Sequence, residues 1–203
     1  STLHQSGLGA LYLMAKDKIH PLWYSEFIPV LFFVSSIFAG LSLVIFEGSI
    51  SQRVFSDQIS EKNHKAHHGI LIGLSKVCAL AMLAYFFLHV LDFVHKQQWH
   101  LINTPMGYWY LTEMLGFVFL PMMLFIYGYR NDNTLVIKVA SILTMLGIII
   151  NRLNVTVIGF KWGAASHYYP SWMEVVVTLA VIFTEIWIFR WIIRRMPVLR
   201  EPP

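Results

Sequence analysis

Between residues 134 and 159 the chain reads TLVIKVASILTMLGIIINRLNVTVIG. A bilayer core of about 30 Å is crossed by about 20 helical residues, so this apolar run is long enough to span a membrane. Its far end carries Asn151-Arg152-Leu153-Asn154-Val155, an arginine between two asparagines. An arginine at that depth costs several kcal/mol unless it is paired or wetted. Four further segments have the same character, at 26–47, 68–94, 106–128 and 171–194, and residues 1–15 read as the tail of an earlier helix that emerges before Lys16-Asp17-Lys18. The expected fold is all-α, a polytopic transmembrane helix bundle of five spans plus that tail. Residues 1–25 form the end of the preceding helix and a periplasmic loop, and 26–203 form the bundle.

Composition agrees. Hydrophobic residues make up 57% and charged residues 13% of the chain, mean hydropathy is +0.60, and soluble domains carry about 25% charge. Fifteen Lys and Arg against eleven Asp and Glu mark loops on one membrane face and not a nucleic-acid surface. The single cysteine, Cys78, lies in an apolar run, so no disulfide framework or cysteine-ligated Fe–S cluster can be built from this chain. The chain opens on Ser1-Thr2-Leu3-His4 with neither initiator Met nor signal peptide, as expected of a sequence that begins partway through a longer protein.

The loops alternate between two faces. Arg53, Lys62, Lys65, Arg130, Lys138, Arg190, Arg194, Arg195 and Arg200 fall on one, against Lys16, Lys18, Lys96 and Lys161 on the other. The positive-inside rule then puts the C-terminus in the cytoplasm, and in a bacterium the four-lysine face is periplasmic. That face also carries Trp23, Tyr24, Trp99, Tyr108, Trp109, Tyr110, Trp162, Tyr168, Tyr169 and Trp172, either as an interfacial aromatic belt or as a protein-docking surface.

Several polar groups gather in the periplasmic half. His89 and Asp92 sit in the last turns of their span, one turn apart. Glu113 lies roughly 10 Å inside the next span, with Asn151 and Arg152 at similar depth. Glu174 is in the first turn of the last span, and His4 and Gln5 are near the end of the incomplete helix. Asp92 and Glu174 read equally as helix-terminal charges in water. Glu113 and Arg152 form either a buried packing ion pair or a functional site.

A ligand that is apolar along its length and polar at its head, such as a quinone, suits this pattern. His, Asn or Arg would bind its carbonyls, and carboxylates or histidine would relay protons. His4, Gln5, His89, Asn151 and Arg152 are the candidate quinone-binding residues, and Glu113, Glu174 and Asp92 the candidate catalytic ones. Thr178 and Glu185 fall about 40° and 20° from Glu174 around their helix. With Lys76 and Glu47 nearer the cytoplasm, they read either as a proton path or as packing contacts with a snorkelling lysine. Ser36 and Gly40 allow close helix approach, Pro121 should kink its helix, and His64, His67 and His68 lack the partners of a metal site.

Four strings, His4-Gln5-Ser6-Gly7-Leu8-Gly9, His20-Pro21-Leu22-Trp23-Tyr24, Asn151 to Val155, and Tyr169-Pro170-Ser171-Trp172-Met173-Glu174, together resemble the NrfD/HybB family of membrane subunits, nearest to those of hydrogenase-2-type NiFe hydrogenases. Members are about twice this length, and the chain resembles their C-terminal half. The resemblance implies a multi-pass subunit of the bacterial inner membrane, binding no haem or Fe–S cluster. It would exchange electrons between menaquinone or ubiquinone and a periplasmic Fe–S subunit joined to a NiFe hydrogenase-like catalytic subunit, with or without proton translocation. Three alternatives stay open: a di-haem cytochrome b anchor, a passive anchor without a quinone site, and an ion transporter using Glu174, Thr178 and Glu185.

Overall fold

The structure, a computed structural model, describes residues 2–54, 61–160, 162 and 171–195, with backbone alone at 54, 61–66, 193 and 194. Lys161, Tyr168, Tyr169, Pro170 and Arg200 lie outside the described residues, as do the side chains of Lys62, His64, Lys65 and Arg194. The chain divides into two compact units, Ser1–Ala164 and Ala165–Pro203.

The first unit holds α1 (Thr2–Leu13), α2 (Ile28–Val54), α3 (Glu61–Lys96), α4 (Pro105–Thr112), a π-helical segment (Glu113–Phe119), α5 (Leu120–Arg130), α6 (Thr134–Leu153) and a second π segment (Asn154–Ile158). The second unit holds α7 (Trp172–Arg195). Among the described residues five helices are long and apolar enough to cross a membrane: Ile28–Arg53, His67–Lys96, Pro105–Arg130, Thr134–Ile158 and Trp172–Ile192. The five expected spans are therefore present, and α1 is the expected tail. α2 and α3 extend about two turns past the expected ends at residues 47 and 68, because helical hydrogen bonding does not stop where hydrophobicity does.

The bundle is sewn by a heptad-like seam. On α2 the buried positions include a stripe of Leu31, Ser35, Phe38, Ser42, Ile45 and Ser49, in alternating steps of four and three. α3 buries Leu71, Ser75, Cys78, Met82 and Tyr85 in the same rhythm, and α6 buries Ile137, Ala140, Thr144 and Gly147. A 3.5-residue repeat keeps one stripe facing a neighbour along the whole helix. Small hydroxyl residues between large apolar ones let backbones approach where lipid supplies no hydrophobic drive. Three of the hydroxyls are satisfied within their own helices: Ser35 Oγ donates to the Phe32 carbonyl at 3.0 Å, Ser49 Oγ to Ile45 at 2.7 Å and Thr144 Oγ1 to Ala140 at 2.8 Å. Ser42 and Cys78 meet across the α2/α3 seam at 3.4 Å, and the Phe38 and Tyr85 rings at 5.2 Å.

Three joints set the upper end of the bundle. Gly9 of α1 lies so close to α2 that a Cβ there would sit 2.9 Å from Pro29 Cα. Pro121 offers no N–H to the Phe117 carbonyl, and Gly147 of α6 packs against that carbonyl, where an added Cβ would come within 2.8 Å. A π segment ends at Phe119, two residues before the Pro121 at which a kink is expected. Finally the loop after α1 is clasped to the end of α6: Ile19 and Phe160 form an isolated antiparallel bridge, and His20 N–H donates to the Gly159 carbonyl at 2.8 Å.

Candidate functional site

The seam of α6 continues past Gly147 to Asn151 and Asn154, so the two amides flanking Arg152 face the bundle interior. Opposite them Glu113 opens the first π segment and is 2% exposed. Its Oε1 accepts from Asn151 Nδ2 at 2.6 Å, and its Oε2 accepts from Asn154 Nδ2 at 2.5 Å and from Trp23 Nε1 at 2.8 Å. All three neighbours donate, which is the set an acceptor-only carboxylate needs. Asn154 opens the second π segment, and its Oδ1 accepts from Trp109 Nε1 at 2.9 Å. Both π segments thus begin at site residues, where an extra residue in the turn re-aims the side chains.

Arg152 does not meet Glu113. Its guanidinium donates to Asn151 Oδ1 at 3.0 Å and to Ser35 Oγ at 2.7 Å, and lies 3.6 Å from the Phe32 ring centroid. Asn151 joins the two charges, receiving from the cation and donating to the carboxylate. The two charges are joined through Asn151 and are not in direct contact. A neutral amide gives each charge a polar partner without holding two bare ions in contact.

Trp23 reaches Glu113 because the clasped loop holds it there. The Leu22 N–H donates to His20 Nδ1 at 3.2 Å, and the His20 and Trp23 rings lie 5.4 Å apart. Burial pushes His20 below the ordinary histidine range.

Next to this cluster lies an apolar groove of about 260 Å³ between α3 and α4, lined by Phe86, His89, Phe93, Trp99, Tyr110 and Met114 among others. His89 lies in its wall. Its Nδ1 is 3.4 Å from the Tyr110 hydroxyl, and its buried Nε2 has no hydrogen-bond partner. The Tyr110 ring packs edge-on against Trp23 at 5.8 Å, so one tyrosine stands between the groove and the carboxylate cluster.

The structure therefore brings together Glu113, Asn151 and Arg152, with His89 adjoining through Tyr110. Asp92 stands apart: Lys96, one turn on, holds it in an ion pair and also holds the Tyr24 carbonyl. On α1, His4 is exposed, whereas the buried Gln5 Oε1 has no hydrogen-bond partner. Lys76 lies over the Tyr129 ring at 5.7 Å. On α7, Thr178 Oγ1 donates to the Glu174 carbonyl at 2.8 Å, and Glu174, Thr178 and Glu185 share one continuous helix. No group of three metal-ligating side chains occurs among the described residues, and His68 pairs with Asp132 at 3.7 Å. Sequence reasoning missed the roles of Trp23, Ser35, Phe32, Trp109 and Tyr110. The seam was the available signal for Ser35, because its steps of four and three run through that position.

Residues 5–164 match the family profile described as "Polysulphide reductase, NrfD". A protein of Nitratidesulfovibrio vulgaris (strain Hildenborough) is 45% identical over 205 aligned positions, covering 100% of this chain and 53% of the relative. The "Probable Ni/Fe-hydrogenase 2 b-type cytochrome subunit" of Escherichia coli K12 is 26% identical over 205 positions, covering 100% of this chain and 50% of that protein. The chain thus spans about half the length of these curated relatives. No solved structure matches.

Proposed function

The chain belongs to the NrfD family, a membrane subunit of a redox complex, and from that membership we propose that it is quinone-reactive, exchanging electrons between a periplasmic Fe–S partner of a hydrogenase-type enzyme and quinone in the bacterial inner membrane. The observation that carries this reading is the adjacency of two things: a lipid-compatible groove with one unpartnered buried ring nitrogen at His89, and a buried acid, Glu113, wired to a cation through an amide.

Quinone reduction takes up two electrons and two protons. The chain's residues supply binding and proton handling. The Tyr110 hydroxyl and His89 Nδ1 lie 3.4 Å apart; in the Nε2–H tautomer the hydroxyl donates to Nδ1 and Nε2 is a donor, as a carbonyl oxygen requires. The rings of Phe93, Trp99 and Phe86 exclude water around it. Glu113 takes or gives a proton behind Tyr110, and Asn151 transmits the field of Arg152 to it. The name of the E. coli relative points to a b-type haem instead, but a bis-histidine haem needs a second histidine facing His89. Among the described residues lining the groove His89 is the one histidine, which supports a quinone head over that haem at this place.

The test is quinone-dependent turnover of the purified complex. Glu113→Gln should assemble normally and lose about 100-fold in kcat, and Arg152→Met should fall in the same direction. His89→Leu should raise the KM for quinone about tenfold, the worth of one lost hydrogen bond. Unchanged turnover in all three variants would leave a passive anchor as the better reading.

A further inference from the structure

At the opposite, basic end of the bundle, α2 and α6 pack side by side and leave a second groove of about 420 Å³ between them, lined by Phe46, Ser49, Ile50, Gln52, Arg53, Lys138 and Ile142. We propose that this groove is a binding site for an anionic phospholipid, with its phosphate between Arg53 and Lys138 and an acyl chain laid along Ile50, Phe46 and Ile142.

The argument begins with position along the helices. Phe46, Ser49, Ile50 and Arg53 fall within an arc of about 100° on α2 at 100° per residue, so they form one stripe. Arg53 is in the last turn of α2, and Lys138 is in the second turn of α6. Both cations therefore stand at the same end of the groove. Phe46 is about 10 Å farther along α2 than Arg53, and Ile142 about 6 Å farther along α6 than Lys138. The groove runs from cationic to apolar over the length on which a phospholipid runs from phosphate to hydrocarbon.

Charge and exposure narrow the occupant. Among the described residues no carboxylate lines the groove, and Glu47, the nearest acid on α2, is turned about 60° beyond Ile50 at the edge of the stripe. Among the described residues neither Arg53 nor Lys138 has an ion-pair partner. The apolar walls stay open, with Ile50 47% and Ile142 42% exposed. Ser49 adds no competing polarity, because its hydroxyl is spent on the Ile45 carbonyl. A soluble anion would satisfy the cations but leave that open apolar trough uncovered, whereas a lipid covers both. Basic pockets between spans at the cytoplasmic side recognise anionic headgroups on these grounds.

The experiment is native mass spectrometry of the full membrane chain, purified with its complex, delipidated and offered dioleoyl-phosphatidylglycerol or dioleoyl-phosphatidylcholine. The wild type should retain phosphatidylglycerol about tenfold better. Arg53→Gln with Lys138→Gln should erase the preference, and Arg53→Lys should keep it. Ile142→Trp, which fills the trough without touching charge, should lower retention of both lipids. Equal retention by the wild type, an undiminished preference in the double variant, or unchanged retention in Ile142→Trp would overturn the proposal. Displacement of phosphatidylglycerol by millimolar inorganic phosphate would overturn it in favour of a simple anion site.

Discussion

Asn151 is the residue on which the site turns. A carboxylate and a guanidinium taken into a membrane protein can neutralise each other in contact, but contact costs both their hydration. Here each ion keeps its own polar shell and the amide side chain couples them. Glu113 and Arg152 were legible in the sequence because a charge inside an apolar span needs a reason. Trp23 was not, because its indole is 90 residues from Glu113 in sequence and looks like any other ring of an interfacial belt. What holds Trp23 in place is testable through His20. Burial sets its folded value below the ordinary one, so the neutral ring stabilises the loop above the ordinary value, and that stability is lost as pH falls through the folded value. Protonation of Nδ1 also replaces the acceptor of the Leu22 N–H with a donor. Amide exchange at Leu22 and Trp23, corrected for intrinsic rates, should therefore rise several-fold between pH 7.5 and 5. His20→Gln should abolish that dependence.

At the scale of elements, two π segments open on Glu113 and Asn154, the residues that hydrogen-bond each other. A π turn is an α turn with one residue too many. Deleting Gly116 should return the Glu113–Phe119 segment to α geometry and rotate Glu113 by about 100° from its donors, abolishing quinone-dependent turnover while the complex still assembles. Gly116→Ala should be tolerated, since nothing lies within 4 Å of a Cβ there. Turnover measured on both variants separates the register of the segment from its bulk. The spans themselves were readable from hydropathy. Their ends were not, and neither were the π segments, since a helix period of 3.6 and a seam of 3.5 differ too little over one turn to mark an insertion. Pro121 gave the position of the disturbance but not its form.

At the scale of the whole molecule, the proposed orientation rests on the uneven share of basic residues between the two faces. Asp17 and Asn131 are both exposed and belong to opposite ends of the bundle. With the lone native cysteine, Cys78, fully buried, a membrane-impermeant maleimide offered to intact spheroplasts should label Asp17→Cys and spare Asn131→Cys until the membrane is opened. The reverse pattern would invert the proposed topology. The Glu113 cluster also carries a consequence for biosynthesis. Its carboxylate draws on Trp23, made 90 residues earlier, and on Asn154, made 41 residues later. At about 5–20 residues per second a ribosome needs about 2–8 s to travel from Glu113 to Asn154. Until Asn151 is made, 38 residues after Glu113, the third span holds an acid with one of its three final donors in existence, so the nascent chain must delay its release into lipid or admit the carboxyl with a proton on it. A chain truncated ahead of Asn151 would be stopped at that stage for good, and the quality-control proteases of the membrane would meet it there.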